Sequence, residues 1–222
     1  MSTCTLPTNV STKKYRNVTI SGLPGCGSTT MLNGLREALK IDGWRGFSGG
    51  EFMRHYATEK GLWDKNNTAH HNASIYSVEF ENEVDFGMRQ KLAQESQWII
   101  ESWLSGFLAQ GVPHTLKILM TCSSDDVRID RVVNRDGITI DEAKANTIER
   151  YESNLQKWTS MYSRQWQEWV VKPGTVSANA PIDFWRPDLY DLVLDTYSLT
   201  AEQTLEKVLA VLDEEESRGR IK

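Results

Sequence analysis

Short apolar runs alternate with longer stretches in which apolar residues recur every three or four positions, and this order is the main structural signal of the chain. Asn17 to Ser21 (NVTIS) is short and β-branched; after a glycine-rich turn, Thr29 to Leu39 sets Met31, Leu32, Leu35, Ala38 and Leu39 at helical spacing. Trp44 to Ser48 reads as a second strand, and Gly49-Gly50 opens a helix through Glu51 to Lys60. The polar stretch Gly61 to Asn72 predicts a surface loop, and Ser74 to Glu95 a helix. Trp98 to Glu101 (WIIE) and Leu116 to Thr121 (LKILMT) are the continuous apolar runs of strands covered on both faces, and Leu192 to Asp195 (LVLD) supplies a fifth strand.

Capping boxes at Thr139 with Glu142 and at Thr200 with Gln203 announce two further helices, and Ser123 or Ser124 can cap another that runs through Arg135. Trp158, Tyr162, Trp166 and Trp169 form an aromatic stripe along one helix face, which suits packing against a core. Lys172 to Asp188, with Pro173, Gly174, Pro181 and Pro187, has the composition of a long loop. Strands separated by helices give an α/β protein with a five-stranded, mainly parallel sheet flanked by helices.

At 222 residues, with 39% hydrophobic and 25% charged residues, the chain can bury one substantial core and contains no collagen, low-complexity or membrane-spanning composition. Residues 1–16 are polar, lack the apolar segment of a secretory signal, and read as a flexible leader. The 25 Lys plus Arg against 30 Asp plus Glu, a formal charge of -5, argue against nucleic acid as a general partner and leave a small molecule as the expected one. Three widely spaced cysteines without C-x-x-C suggest no disulfide framework or zinc site, and a reducing cytoplasm fits; a monomer is expected, with a dimer as the alternative. The adjacent His70 and His71 do not naturally converge on a metal.

The most specific stretch is Gly22-Leu23-Pro24-Gly25-Cys26-Gly27-Ser28-Thr29-Thr30, a G-x-x-x-x-G followed by Ser-Thr, placed after a strand and opening a helix. Glycines let successive N–H groups turn inward, and a helix N-terminus adds partial positive charge, so a polyphosphate can be cradled by backbone. Thr29 would offer a hydroxyl to Mg²⁺. Ser28 stands where the usual motif has the Lys that reaches the terminal phosphates. Cys26 sits at a helix start, where a thiol can be acidified, but a small filler is its default role.

In these residues the sequence resembles the archaeal-type cytidylate kinases and their relatives among P-loop nucleoside monophosphate kinases, many of which have Thr in place of Lys after the last glycine. The likeness continues through Ser48 to Arg54, Trp98 to Glu101, Arg128 to Arg135, the start at Gly137 to Ala143, Arg150 with Asn154 and Lys157, and Tyr190 to Thr196. It implies one P-loop NTPase-type kinase domain over 17–222. Within that domain an acceptor-binding helical region is expected at about 50–96, a helical lid at about 128–164 and an insertion at 166–188. It also implies transfer of a phosphoryl group from ATP, with Mg²⁺, to a nucleoside monophosphate, CMP or dCMP first.

By the same resemblance Arg128 or Arg131 would flank adenine and phosphates, and Arg150 and Lys157, with Arg131, would reach the transferring group. Ser48 and Arg54 would hold the acceptor phosphate, and Asp85 with Arg89 would read a base edge, unless the two are an ordinary ion pair four residues apart. Glu101, at the carboxyl end of a strand, would orient Mg²⁺-bound water or substrate. One departure stands out: the family usually continues Gly-Arg-Leu-Ala after Ile100-Glu101, whereas this chain has Ser102-Trp103-Leu104-Ser105. An indole cannot replace a bidentate guanidinium, so another cation compensates, or the acceptor differs; Trp103 would then stack on a base or pack in the core. A kinase for another acceptor and a catalytically weak nucleotide-binding regulator stay open as alternatives.

Overall fold

The computed structural model describes residues 14–59 and 76–214. Strands β1 (Asn17–Gly22), β2 (Arg45–Ser48), β3 (Trp98–Glu101), β4 (Thr115–Thr121) and β5 (Leu192–Asp195) form one sheet, every pair parallel, in the order β2-β3-β1-β4-β5. Between them run α1 (Ser28–Ala38), α2 (Gly49–Glu59), α3 (Val78–Gln94), α4 (Ser105–Leu108), α5 (Asp125–Asp136), α6 (Ile140–Met161) and α7 (Ser163–Trp166), with α8 (Ala201–Leu212) after β5. A parallel sheet brings the carboxyl ends of all its strands to one edge, and β1 is fully buried at its centre.

The two-residue period of the strands divides the core. Val18, Ile20, Ile99, Leu116, Ile118 and Met120 face α1 and α8, where Met31, Leu32, Leu35, Val208 and Leu212 close one layer. Ile100 faces the other side, against Met88 and Leu92 of α3, Phe107 of α4, and the aromatic segment that follows α6. On that side β1 presents Thr19 and Ser21 rather than bulky residues. Ser21 Oγ accepts from the Gly106 N–H at 2.9 Å, and Ser105 Oγ donates to the Ile20 carbonyl at 2.9 Å, so the short α4, which periodicity did not reveal, lies close on the strand.

The aromatic stripe is core: Tyr162 and Trp166 are fully buried, and Phe107 packs between them and Phe184, with a ring distance of 4.8 Å to Phe184. The expected loop at 172–188 is irregular but packed, because Val176, Phe184 and Leu189 are buried in it; it straps the chain back to β5. The last residues of the expected leader are also tied in. The Arg16 N–H donates to the His114 carbonyl at 2.7 Å, and the Arg16 carbonyl accepts from Gln97 at 2.7 Å. The helix starts follow their caps: both boxes are complete, and Ser124 is the cap of α5. No described helix is long and apolar enough to cross a membrane.

Phe107 has no exposed surface and joins sheet to strap. Phe107→Ala is expected to cost about 3–5 kcal/mol, seen as a lower urea midpoint with an unchanged slope.

Candidate active site

The glycine loop joins β1 to α1 with backbone angles that side chains resist: Gly25 has φ +83° and Gly27 φ +85°. A Cβ on Gly25 would lie 2.4 Å from the Arg128 carbonyl oxygen, and one on Gly22 would lie 2.9 Å from that of Met120. Gly27 is the N-cap of α1 and brings no side-chain acceptor. The first-turn backbone, at Ser28, Thr29 and Thr30, therefore meets the cleft with helix-end donors for an anion. Cys26 is buried in the core, and burial pushes its thiol up to about 11, which makes it the small filler and not a reactive thiolate.

Glu101 links the two halves of the cleft. Its carboxylate accepts from Ser28 Oγ at 3.0 Å and from Ser48 Oγ at 2.7 Å, and Ser48 Oγ in turn accepts from the Glu51 N–H at 3.2 Å. The register of the sheet explains this, since Ser48 and Glu101 are paired partners at the ends of β2 and β3. At the position of the usual lysine, Ser28 contributes a hydroxyl anchored to a carboxylate.

The cleft has a volume of about 540 Å³ and runs from the glycine loop, Ser48 and Glu101 to Trp103 and to Arg131, Arg135 and Arg150 of the α5–α6 pair. Arg131 donates to the Gly25 carbonyl at 3.1 Å, to Thr196 Oγ1 at 2.7 Å and to the Thr196 carbonyl at 2.8 Å. Arg135 is engaged by both oxygens of Asp136 at 2.7 Å. Arg150 lies over the Trp103 ring, 4.6 Å from its centre. Thr196, Leu199 and Thr200 from the β5–α8 connection, with Thr204 of α8, complete the wall. Sequence reading passed over these four, although the capping box at Thr200, just past a strand end, marks a helix start in the ligand-bearing edge.

Other expected site residues are committed elsewhere. Arg128 turns to the far side of the glycine loop, pairs with Asp125 at 3.0 Å, and lines a separate cavity of about 270 Å³ with Leu23, Cys26, Met120 and Trp185. Lys157 does not line the cleft: it pairs with Glu81 at 2.9 Å and donates to the Tyr76 carbonyl at 3.1 Å, which fastens α6 to α3. Asp85 and Arg89 neither pair with one another nor line the cleft. The Asp85 carboxylate accepts from the Tyr162 hydroxyl at 2.6 Å; Arg89 donates to the carbonyls of Leu108 and of Gln110, the latter at 2.8 Å, and stacks on Trp169 at 3.9 Å. Helical spacing put the two on one face, and that face is buried against α4 and the aromatic segment. Arg54 lies in α2, but its side chain, like His70 and His71, falls outside the described residues.

Residues 18–152 match the family model of an AAA domain. The cytidylate kinase of Methanopyrus kandleri is 32% identical over 88% of this chain and 92% of its own length. The chain belongs to the cytidylate kinase family. The cytidylate kinase of Methanosarcina acetivorans is 28% identical, over 88% of this chain and 96% of its own. In fold, the kinase is similar to an uncharacterized protein from Eubacterium ventriosum, with a TM-score of 0.58 and 12% identity over 90% of this chain and 99% of the other. A putative kinase from Chloroflexus aurantiacus gives 0.50 and 14% over 90% and 97%. The sheet order, the glycine loop and these relatives agree on a P-loop nucleoside monophosphate kinase.

Burial, partly offset by the Tyr162 hydroxyl and reinforced by Glu81, raises Asp85 to about 7. An unfolded aspartate titrates near ~3.9, so the folded form holds its proton through a range in which the unfolded one has lost it. The resulting penalty on the fold is absent below about pH 4, grows as pH rises, and is complete above pH 7. Asp85→Asn keeps an acceptor for Tyr162 and removes the titration. Relative to wild type it is expected to gain about 2–4 kcal/mol between pH 4 and pH 8 in urea unfolding, and a constant difference across that range would refute the assignment.

Proposed function

We propose that the chain transfers the γ-phosphoryl group of ATP, with Mg²⁺, to CMP or dCMP. The observation that carries this reading is that the start of α1, which has no side-chain cap, and the Arg131 and Arg150 side chains open into one cleft. Transfer of this kind needs little covalent help; it needs in-line positioning and cations around the three migrating oxygens. The helix-end amides of the glycine loop hold the donor phosphates, and Thr29 with Glu101 offers the hard oxygens a magnesium ion takes. Both line the cleft, and the ion bound there would neutralise charge on the migrating group.

The α5–α6 pair serves as the lid, with Arg131 and Arg150 as its reacting-end cations. Lys157 joins the lid to the acceptor-side helix α3 through Glu81 and so acts in positioning. The choice of cytosine rests on the names of the relatives, since Asp85 and Arg89 are bound up in the fold. The ligands are read as small nucleotides, and the cytoplasm as the site of action.

The decisive assay is ADP formation from Mg-ATP with CMP, dCMP, UMP, AMP and GMP, with products identified by mass spectrometry. Diphosphate from CMP or dCMP above the rest is the expected outcome; equal turnover with UMP or AMP would remove the base assignment. Gly27→Val places a branched side chain at φ +85°, and is expected to abolish ATP binding in calorimetry. Arg150→Ala should lower kcat by about 10²-fold or more with a small change in ATP affinity, as expected when a transition-state contact is lost.

A further inference from the structure

Trp103 occupies the cleft in an arrangement that a filler would not require. Its ring meets two other indoles at steep angles, Trp158 at 5.6 Å and 74° and Trp185 at 5.9 Å and 76°. Trp185 Nε1 donates to the Trp103 carbonyl at 2.9 Å, so the strap holds the backbone of the same residue. Tyr151, next to Arg150 in α6, packs on Trp185 at 5.4 Å. The platform and the segment that carries the arginine are thus pinned to one support. The Arg150 guanidinium lies over the Trp103 ring, 4.6 Å from its centre, well inside the range in which a ring quadrupole attracts a cation.

We infer that Trp103 is a positioning residue that holds the Arg150 guanidinium in the cleft, oriented for the anionic oxygens of a phosphate. The choice of ring has a physical reason. A carboxylate at this place would grip the guanidinium through its N–H edge and offset its charge. An indole face attracts the guanidinium through its ring quadrupole and adds no negative charge. Trp103 therefore accounts for a cation delivered from α6 to the part of the cleft beside Glu101 and Ser102. The inference rests on the kinase reading for the identity of the phosphate, and on geometry alone for the stack.

The test is a double-mutant cycle of Trp103→Leu and Arg150→Ala, with Trp103→Phe as the conservative variant. The readouts are kcat and KM for CMP at saturating Mg-ATP, together with the dissociation constant of inorganic tripolyphosphate by calorimetry. Trp103→Leu is expected to lower kcat by about 3- to 30-fold and to weaken tripolyphosphate binding several-fold while leaving the KM for CMP within about twofold. In the Arg150→Ala background the same substitution should change nothing beyond about twofold, and Trp103→Phe, which keeps a π face, should recover most of the loss. Equal losses in both backgrounds, or a loss confined to the KM for CMP as expected of a base-stacking ring, would overturn the inference. Absence of turnover in wild type would defeat the kinase reading separately, and the tripolyphosphate cycle would still decide the stack. If Trp103→Leu fails to fold, Trp103→Phe against Trp103→Met in both Arg150 backgrounds reads the same coupling.

Discussion

The close approach of the glycine loop to the first turn of α5 constrains most of what surrounds it. Because Gly25 has no side chain, the carbonyl of Arg128 occupies the space where a Cβ would be, and the two backbones touch. That contact sets the height of α5 above the loop. It lets Arg131, one turn further on, return a hydrogen bond to the Gly25 carbonyl and two more to Thr196 beyond β5. The same closeness turns Arg128 outward, to Asp125 and the smaller cavity. One steric fact thus keeps Arg131 at the glycine loop while Arg128 lines the smaller cavity.

Availability of charge follows from the kind of partner. Arg135 and Arg128 are each met by a carboxylate, and Lys157 is spent on Glu81. Arg131 is held by carbonyl and hydroxyl oxygens, and Arg150 lies over the Trp103 ring. Carbonyl and hydroxyl oxygens fix the Arg131 guanidinium without cancelling its charge. Ser28 fits the same economy of charge: where a lysine would add a cation beside Glu101, a hydroxyl joins the carboxylate to the start of α1.

The layer of aromatic residues on the far side of the sheet gives this cleft its rigidity. Phe107, Tyr162, Trp166 and Phe184 form a core that the strap closes, and the half-buried Trp158 and Trp185 packed against it support Trp103. Burial there also absorbs Asp85 and Arg89, and the burial raises the Asp85 carboxyl. Residues that are polar in sequence thereby become structural. Ring contacts from Trp166 through Phe184 and Trp185 to Trp103 link the core to the cleft.

Periodicity, caps and glycines are local properties, and the sequence alone determined what depends on them. The five strands, the starts of α5, α6 and α8, the parallel sheet and the phosphate-binding loop are all written within a few residues of where they act. Ser48 and Glu101 were also legible, since both stand at strand ends on the edge where a parallel sheet gathers its ligand-binding groups. The tertiary structure decided the partners. Helical spacing puts Asp85 and Arg89 on one face of α3, but whether that face meets a cleft or a core depends on α4 and on Tyr162 and Trp169, more than seventy residues away in the chain. The placement of Arg150 on Trp103 and the withdrawal of Lys157 to Glu81 likewise join residues from separate elements. No spacing rule within one segment contains that information, because the free energy of each side chain is set by whatever the fold brings against it.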